Sequence, residues 1–219
     1  MRKDKARAID LRKQGKSYNE ISAALHIPKS TLSNWFACVQ WSQMTKQHLS
    51  IIHRERSRKR MKALTDDIRE KRNAAYAKRR NEAKKMYPQY QQDRLFIAGL
   101  MLYWGEGDRK LQNGCIRLAN SDPDMLLIFH RFLKKYLPTI YKKTKAYLIL
   151  YPDLEDKAIK TFWSRHIGVS LDKFYKTHYI KGRHASKRLP YGVCTIIIRS
   201  REYKEMIDEW LQLAKSDFV

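Results

Sequence analysis

The sequence predicts a small all-α domain at the N-terminus, a basic helical linker and a C-terminal α+β domain. Three observations carry that prediction. No glycine occurs between Gly15 and Gly99, so the first half has few breaks in helical pattern. Residues 42–92 are rich in Lys, Arg, Glu, Ala and Gln, with Pro88 as their breaker. Most Trp, Tyr, Phe, Ile and Leu fall in 94–219, with all but one of the glycines. The predicted boundaries are therefore 1–41, 42–93 and 94–219.

The charge is spread over all three parts. In 219 residues, Lys+Arg 46 against Asp+Glu 22 gives +24. The excess is +5 over 1–45, +10 over 46–94 and +9 over 95–219. Such self-repulsion opposes a compact state unless a polyanion compensates it, and double-stranded DNA is the expected partner. An anionic membrane surface is the weaker alternative to DNA; the longest apolar run, Leu95 to Trp104, is too short to span a membrane, and no membrane partner is expected. The N-terminus has no apolar core of a signal peptide. Cys38, Cys115 and Cys194 are odd in number and far apart, which suits a reducing compartment and argues against a disulfide framework or zinc site. A cytoplasmic, nucleoid-associated protein is expected.

Ala6 to Phe36 carries the strongest motif. Ile9 and Leu11 sit on a first helix that Gly15 ends. Ser17 caps a second helix, with Glu20 completing a capping box, and Ile21, Ala24 and Leu25 form its buried face. His26 to Pro28 makes a tight turn. A third helix follows from Lys29 to Phe36, with Leu32 and Trp35 inward. Lys29, Ser30, Thr31, Ser33 and Asn34 remain at the start of its outer face. Short donors and acceptors there suit base edges and phosphates of a major groove, although Ser30 also suits a helix cap. The pattern resembles the helix-turn-helix of resolvases and transposases over about 30 residues.

The basic middle, 53–85, reads as a long helix whose apolar stripe is only Met61, Leu64 and Ile68. Two readings fit it: a solvated linker helix laced by salt bridges, or an arm whose Arg58, Lys59, Arg60, Arg79 and Arg80 track phosphates. Pro88 marks a hinge into the last domain.

In 94–219 the order of elements reads α-β-α-β-α-β-β-α. Leu95–Trp104 is an apolar helix and 115–119 a strand. Ser121 or Asp122 caps a helix to about Tyr136, with Pro123 in its first turn. Residues 146–151 alternate as a strand. A helix from Asp153 or Leu154 to His166 ends at Gly168. Strands at 173–180 and 193–199 form a hairpin whose basic tip holds Lys181, Arg183, His184, Lys187 and Arg188, placed for phosphate contact. Ser200 caps a last helix to about Leu213. His130 and His166 read as core or interface residues.

The apolar helix ends in Gly105, Glu106 and Gly107, with Asp108 next. A carboxylate is electrostatically disfavoured at a helix C-terminus, so Glu106 there calls for a reason. The segment resembles the signature helix of LAGLIDADG homing endonucleases. That resemblance implies two such helices packed tightly, with Ala98 and Gly99 permitting close approach. It implies Glu106 as catalytic metal ligand, Asp108 as a second ligand, and Mg²⁺ at the scissile phosphate. One motif per chain implies a homodimer. The sequence departs from the family in three ways. Its Ala-Gly pair lies two residues further from the Gly-Glu-Gly, the aspartate within the motif is missing, and a helix interrupts the first hairpin. The whole chain resembles bacterial and phage proteins with this same plan, a resemblance that supplies no assigned activity.

Other signals are weak. Asn120 to Pro123 reads as helix capping, and Tyr151 to Lys157 as a cap with surface charge. No phosphate-binding Gly-rich loop occurs, and no triad stands out. A lysine assisting cleavage has three candidates, Lys110, Lys181 and Lys187. Three functions follow in order: a Mg²⁺-dependent homing-type endonuclease, a non-catalytic DNA-binding regulator on the same fold, and a transposition or recombination protein. The last lacks a third acidic residue for a three-carboxylate site.

Overall fold

The computed structural model describes residues 4–180 and 189–218. The chain divides into two compact units, Met1–Glu70 and Lys71–Val219. Helix α4 spans Gln40–Tyr90 and contributes to both.

The first unit contains α1 (Lys5–Lys13), α2 (Tyr18–Leu25), α3 (Lys29–Phe36) and the start of α4. Local grammar sets its turns. Gly15 takes φ +87° after α1, a conformation that costs glycine little. The Ser17 hydroxyl accepts from the Glu20 N–H at 3.2 Å, and the Glu20 carboxylate accepts from the Ser17 N–H at 2.8 Å. His26 then turns the chain through a left-handed conformation into Ile27 and Pro28. Ala8, Ile21, Ile27, Leu32 and Phe36 form the core. Two expectations need correction. Ala24 is exposed, because α2 turns only Ile21 fully inward. The innermost aromatic of α3 is Phe36, with Trp35 half-buried.

Arg12 is buried in this unit. Its Nε donates to Ser42 Oγ at 3.0 Å and its Nη2 to Ser42 O at 2.9 Å. Nη1 donates to Lys16 O at 2.8 Å, and the guanidinium lies 4.6 Å from the Tyr18 ring centre. Burial pulls its pKa down, and the hydrogen bonds offset the cost of desolvating it.

The second unit sets helices against a four-stranded sheet. Its elements are the last part of α4, then α5 (Arg94–Glu106), β1 (Ile116–Asn120), α6 (Pro123–Tyr136), α7 (Pro138–Tyr141), β2 (Lys145–Leu150), α8 (Asp156–Ile167), β3 (His178–Tyr179), β4 (Val193–Ile198) and α9 (Arg201–Phe218). The sheet order is β1-β4-β2-β3, with β4 antiparallel to both neighbours and β3 parallel to β2. Ala146, Leu148 and Leu150 alternate inward from β2. They meet a core that includes Phe96, Phe129, Phe132, Trp163 and Trp210. Asp122 caps α6 and Gly168 ends α8 in a left-handed turn.

Here too the structure departs from expectation. The segment 173–180 is a strand only at His178–Tyr179, because a 3-10 turn (Leu171–Lys173) and a single bridge at Phe174 occupy its start. β3 and β4 do not form a hairpin, since β2 stands between them. α9 runs to Phe218, five residues beyond the predicted end, because Trp210, Leu211 and Ala214 are all buried. Pro88 lies inside α4, two residues before its end; the chain breaks after Tyr90, where Asp93 caps α5. Ala83 and Tyr87 are buried in the second core, and Trp210 Nε1 donates to Ala83 O at 3.1 Å. The segment read as a linker, 42–93, therefore builds its 71–90 part into the second unit. Met61, Leu64 and Ile68 stay exposed.

Candidate nucleic-acid interface

In α3 the inward side is filled by Leu32 and Phe36, with Trp35 half-buried. Lys29, Ser30, Ser33 and Asn34 are exposed, and Thr31 is partly so. The helix is capped at Pro28 with no side-chain hydrogen bond. Ser30, the second residue of α3, does not occupy the N-cap position. Its hydroxyl and the Asn34 amide are exposed and have no hydrogen-bond partner among the described residues.

The basic residues of α4 divide into two kinds. Arg58, Lys59 and Arg60 are exposed. Arg79 and Arg80, expected on DNA, make ion pairs within the second unit, and the Arg80 side chain stays partly exposed beside its partner. Arg79 pairs with Glu82 at 2.7 Å and Glu202 at 3.5 Å, and lies 4.3 Å from the Tyr203 ring centre. Arg80 pairs with the buried Glu205 at 2.8 Å. These contacts fasten α4 to α9. Sequence alone could not find the pairs to α9, because Glu202 and Glu205 lie more than 120 positions away. Lys181, Arg183, His184, Lys187 and Arg188 lie outside the described residues.

Glu106 and Asp108 line one cleft of about 530 Å³ with Arg109, Lys110, Asn113 and Arg117. Their states differ. Glu106 is exposed and has no hydrogen bond or ion pair among the described residues. Asp108 is nearly buried and held on both oxygens. Oδ1 accepts from the Lys110 N–H at 3.1 Å and faces Lys204 Nζ at 3.6 Å. Oδ2 accepts from Asn113 Nδ2 at 2.6 Å and Arg117 Nη2 at 2.9 Å. Burial pushes its pKa up, but Asn113, Lys204, the Lys110 N–H and Arg117 outweigh it, and the net shift is down. Lys204, buried on α9, donates to Lys110 O at 2.8 Å, and burial lowers its pKa. Asp108 is thus an electrostatic node that seats the turn after α5.

The two glycines around Glu106 are not equivalent. A β-carbon at Gly107 would lie 2.4 Å from Tyr103, whereas Gly105 faces open space. Gly99, expected at a contact between two copies of the helix, receives Phe132 of α6 in the same chain, whose side chain would lie 2.3 Å from an added β-carbon. That close approach is intramolecular. His130 is buried, as expected, against Tyr141. His166 is half-exposed and sits 2.9 Å from Asp124 at the edge of α8. The three cysteines are free. Among the described residues no helix is long and apolar enough to cross a membrane, and no group of three His, Cys, Asp or Glu is placed to hold a metal ion.

The family profile of the homeodomain-like domain matches residues 2–40. No curated protein and no solved structure matches the chain. The match covers α1 to α3 and their turns. The N-terminal unit is a helix-turn-helix domain, and its partner is DNA.

Proposed function

We propose that this protein is a sequence-specific reader of double-stranded DNA that acts as a regulator, with α3 as its recognition helix. One observation carries the reading: the outer face of α3 holds Lys29, Ser30, Ser33 and Asn34 exposed, while its inner face is filled by the core. An amide such as Asn34 can pair with an adenine edge through two hydrogen bonds, and the short hydroxyls of Ser30 and Ser33 reach bases or phosphates. Lys29, at the first turn, suits a phosphate. The test compares a preferred duplex with an unrelated one. Replacing Asn34 by Ala is expected to cost about 1–3 kcal/mol on the preferred duplex only. Replacing Lys29 by Ala is expected to weaken both alike.

A second reading, a Mg²⁺-dependent homing-type endonuclease acting as a homodimer, is favoured by the free Glu106 carboxylate beside Arg109, Lys110 and Arg117. The donor set of one chain does not fit the ion. A hard divalent cation wants several oxygen ligands, and both Asp108 oxygens already serve Asn113, Arg117, Lys204 and the Lys110 N–H. A second copy would have to supply the missing carboxylate. Incubating duplex libraries with Mg²⁺ or EDTA separates the two readings. Ends that depend on Mg²⁺ and vanish in Glu106→Gln support cleavage; bound but uncut DNA supports the regulator.

A further inference from the structure

The second unit holds a basic cleft of about 460 Å³ that no sequence motif announces. It is lined by Arg72, Tyr76 and Arg80 of α4, Gln112 of the 3-10 turn Leu111–Asn113, and Arg201 and Glu205 of α9. Glu205 is buried and organises it. One carboxylate oxygen accepts from Arg80 Nη1 at 2.8 Å, and the other accepts from Arg201 Nε at 2.8 Å and Nη2 at 2.6 Å. The Arg201 guanidinium also lies 5.3 Å from the Tyr76 ring centre. Two guanidiniums are thereby fixed before any ligand arrives, so little side-chain freedom is lost on binding. Each keeps N–H donors beyond those given to Glu205. Arg72 is exposed and has no acidic partner among the described residues. Three guanidiniums face one carboxylate, leaving the cleft doubly positive. On the other side of the same turn, Arg109 and Lys110 are exposed and form no ion pair among the described residues.

We infer that this cleft is a second DNA contact, which takes a phosphodiester of the backbone without regard to base sequence. The inference rests on the DNA binding proposed for α3 and adds the second unit to it. A phosphodiester presents two non-bridging oxygens, and planar guanidinium forks match that geometry. Pre-set forks around a buried carboxylate suit an anion that arrives as part of a polymer, where each contact displaces counterions. Such a contact positions the duplex and does not choose its sequence.

The test uses the full chain and fluorescence anisotropy. A preferred duplex and an unrelated one are titrated between 50 and 200 mM KCl. Arg72→Glu and the milder Arg72→Gln alter an exposed side chain, and circular dichroism confirms folding. Arg72→Glu is expected to weaken both duplexes about tenfold and to lower the log–log salt slope by about one, since each phosphate contact contributes roughly 0.9. Arg72→Gln should fall between it and the wild type. Asn34→Ala, the control, should weaken only the preferred duplex. Wild-type affinity and slope in both Arg72 variants, with Asn34→Ala still selective, would overturn the cleft and leave α3 standing. A wild type that binds neither duplex would overturn both. Loss of inorganic phosphate binding in Arg72→Glu with duplex binding untouched would assign a free anion and overturn the DNA assignment.

Discussion

Gly99 has no room for a β-carbon, and that fact sets the packing of α5 on α6. Gly99→Ala is expected to cost about 1–3 kcal/mol, because Phe132 is buried on all sides and cannot swing away. Gly105→Ala, facing open space, should cost no stability by clash, and a pair of thermal melts checks both. His130 supplies a pH dependence. Burial lowers its pKa to about 4, from 6.5 in the unfolded chain, and the nearby Lys134 and Lys173 push the same way. Between those values the unfolded state binds more protons, so stability falls as pH drops from 6.5 towards 4. The loss attributable to this group is up to about 3 kcal/mol. Chemical denaturation of the wild type and of His130→Gln at pH 7 and pH 4.5 should give a smaller pH difference in the variant. Single residues with local rules were legible in the sequence. Gly15, the Ser17–Glu20 box, Asp122 before Pro123 and Gly168 all act within a few positions of themselves. Arg12 was not, because its partner Ser42 is 30 positions away. Nor did the sequence reveal that Asp108 is saturated, since Arg117 and Lys204 reach it only in the folded chain.

Among elements, α4 is the one that divides most sharply along its length. Its composition has one character throughout, yet 53–70 is solvated and 71–90 docks on α9. The difference comes from Ala83 and Tyr87 and from acidic residues of α9 that α4 itself cannot announce. The clamp divides by burial. Glu205→Ala removes a carboxylate that is buried and serves two arginines, and should cost about 1–3 kcal/mol. Glu202→Ala removes a half-exposed partner and should cost less than about 1 kcal/mol. Urea titration of both variants checks the order. The sheet was half legible. β2 and β4 carry alternating or continuous apolar runs, whereas β3 is two exposed residues that pair only because β2 offers an edge. Short edge strands of this kind leave almost no pattern to read.

At the scale of the molecule, a charge of +24 governs behaviour. Screening relieves self-repulsion, so the thermal midpoint should rise between 20 and 300 mM KCl, and duplex DNA should raise it further at fixed salt by mass action. A midpoint indifferent to both would mean that the charges are already compensated within the chain. The division of labour proposed here gives base choice to α3 and backbone affinity to the basic cleft of the second unit. The most direct test is a binding selection from a randomised duplex library, run with the wild type and with Asn34→Ala and read by sequencing. One enriched motif is expected for the wild type, relaxed at a single base position in the variant. An unenriched library, or the same motif at the same strength in both proteins, would contradict it.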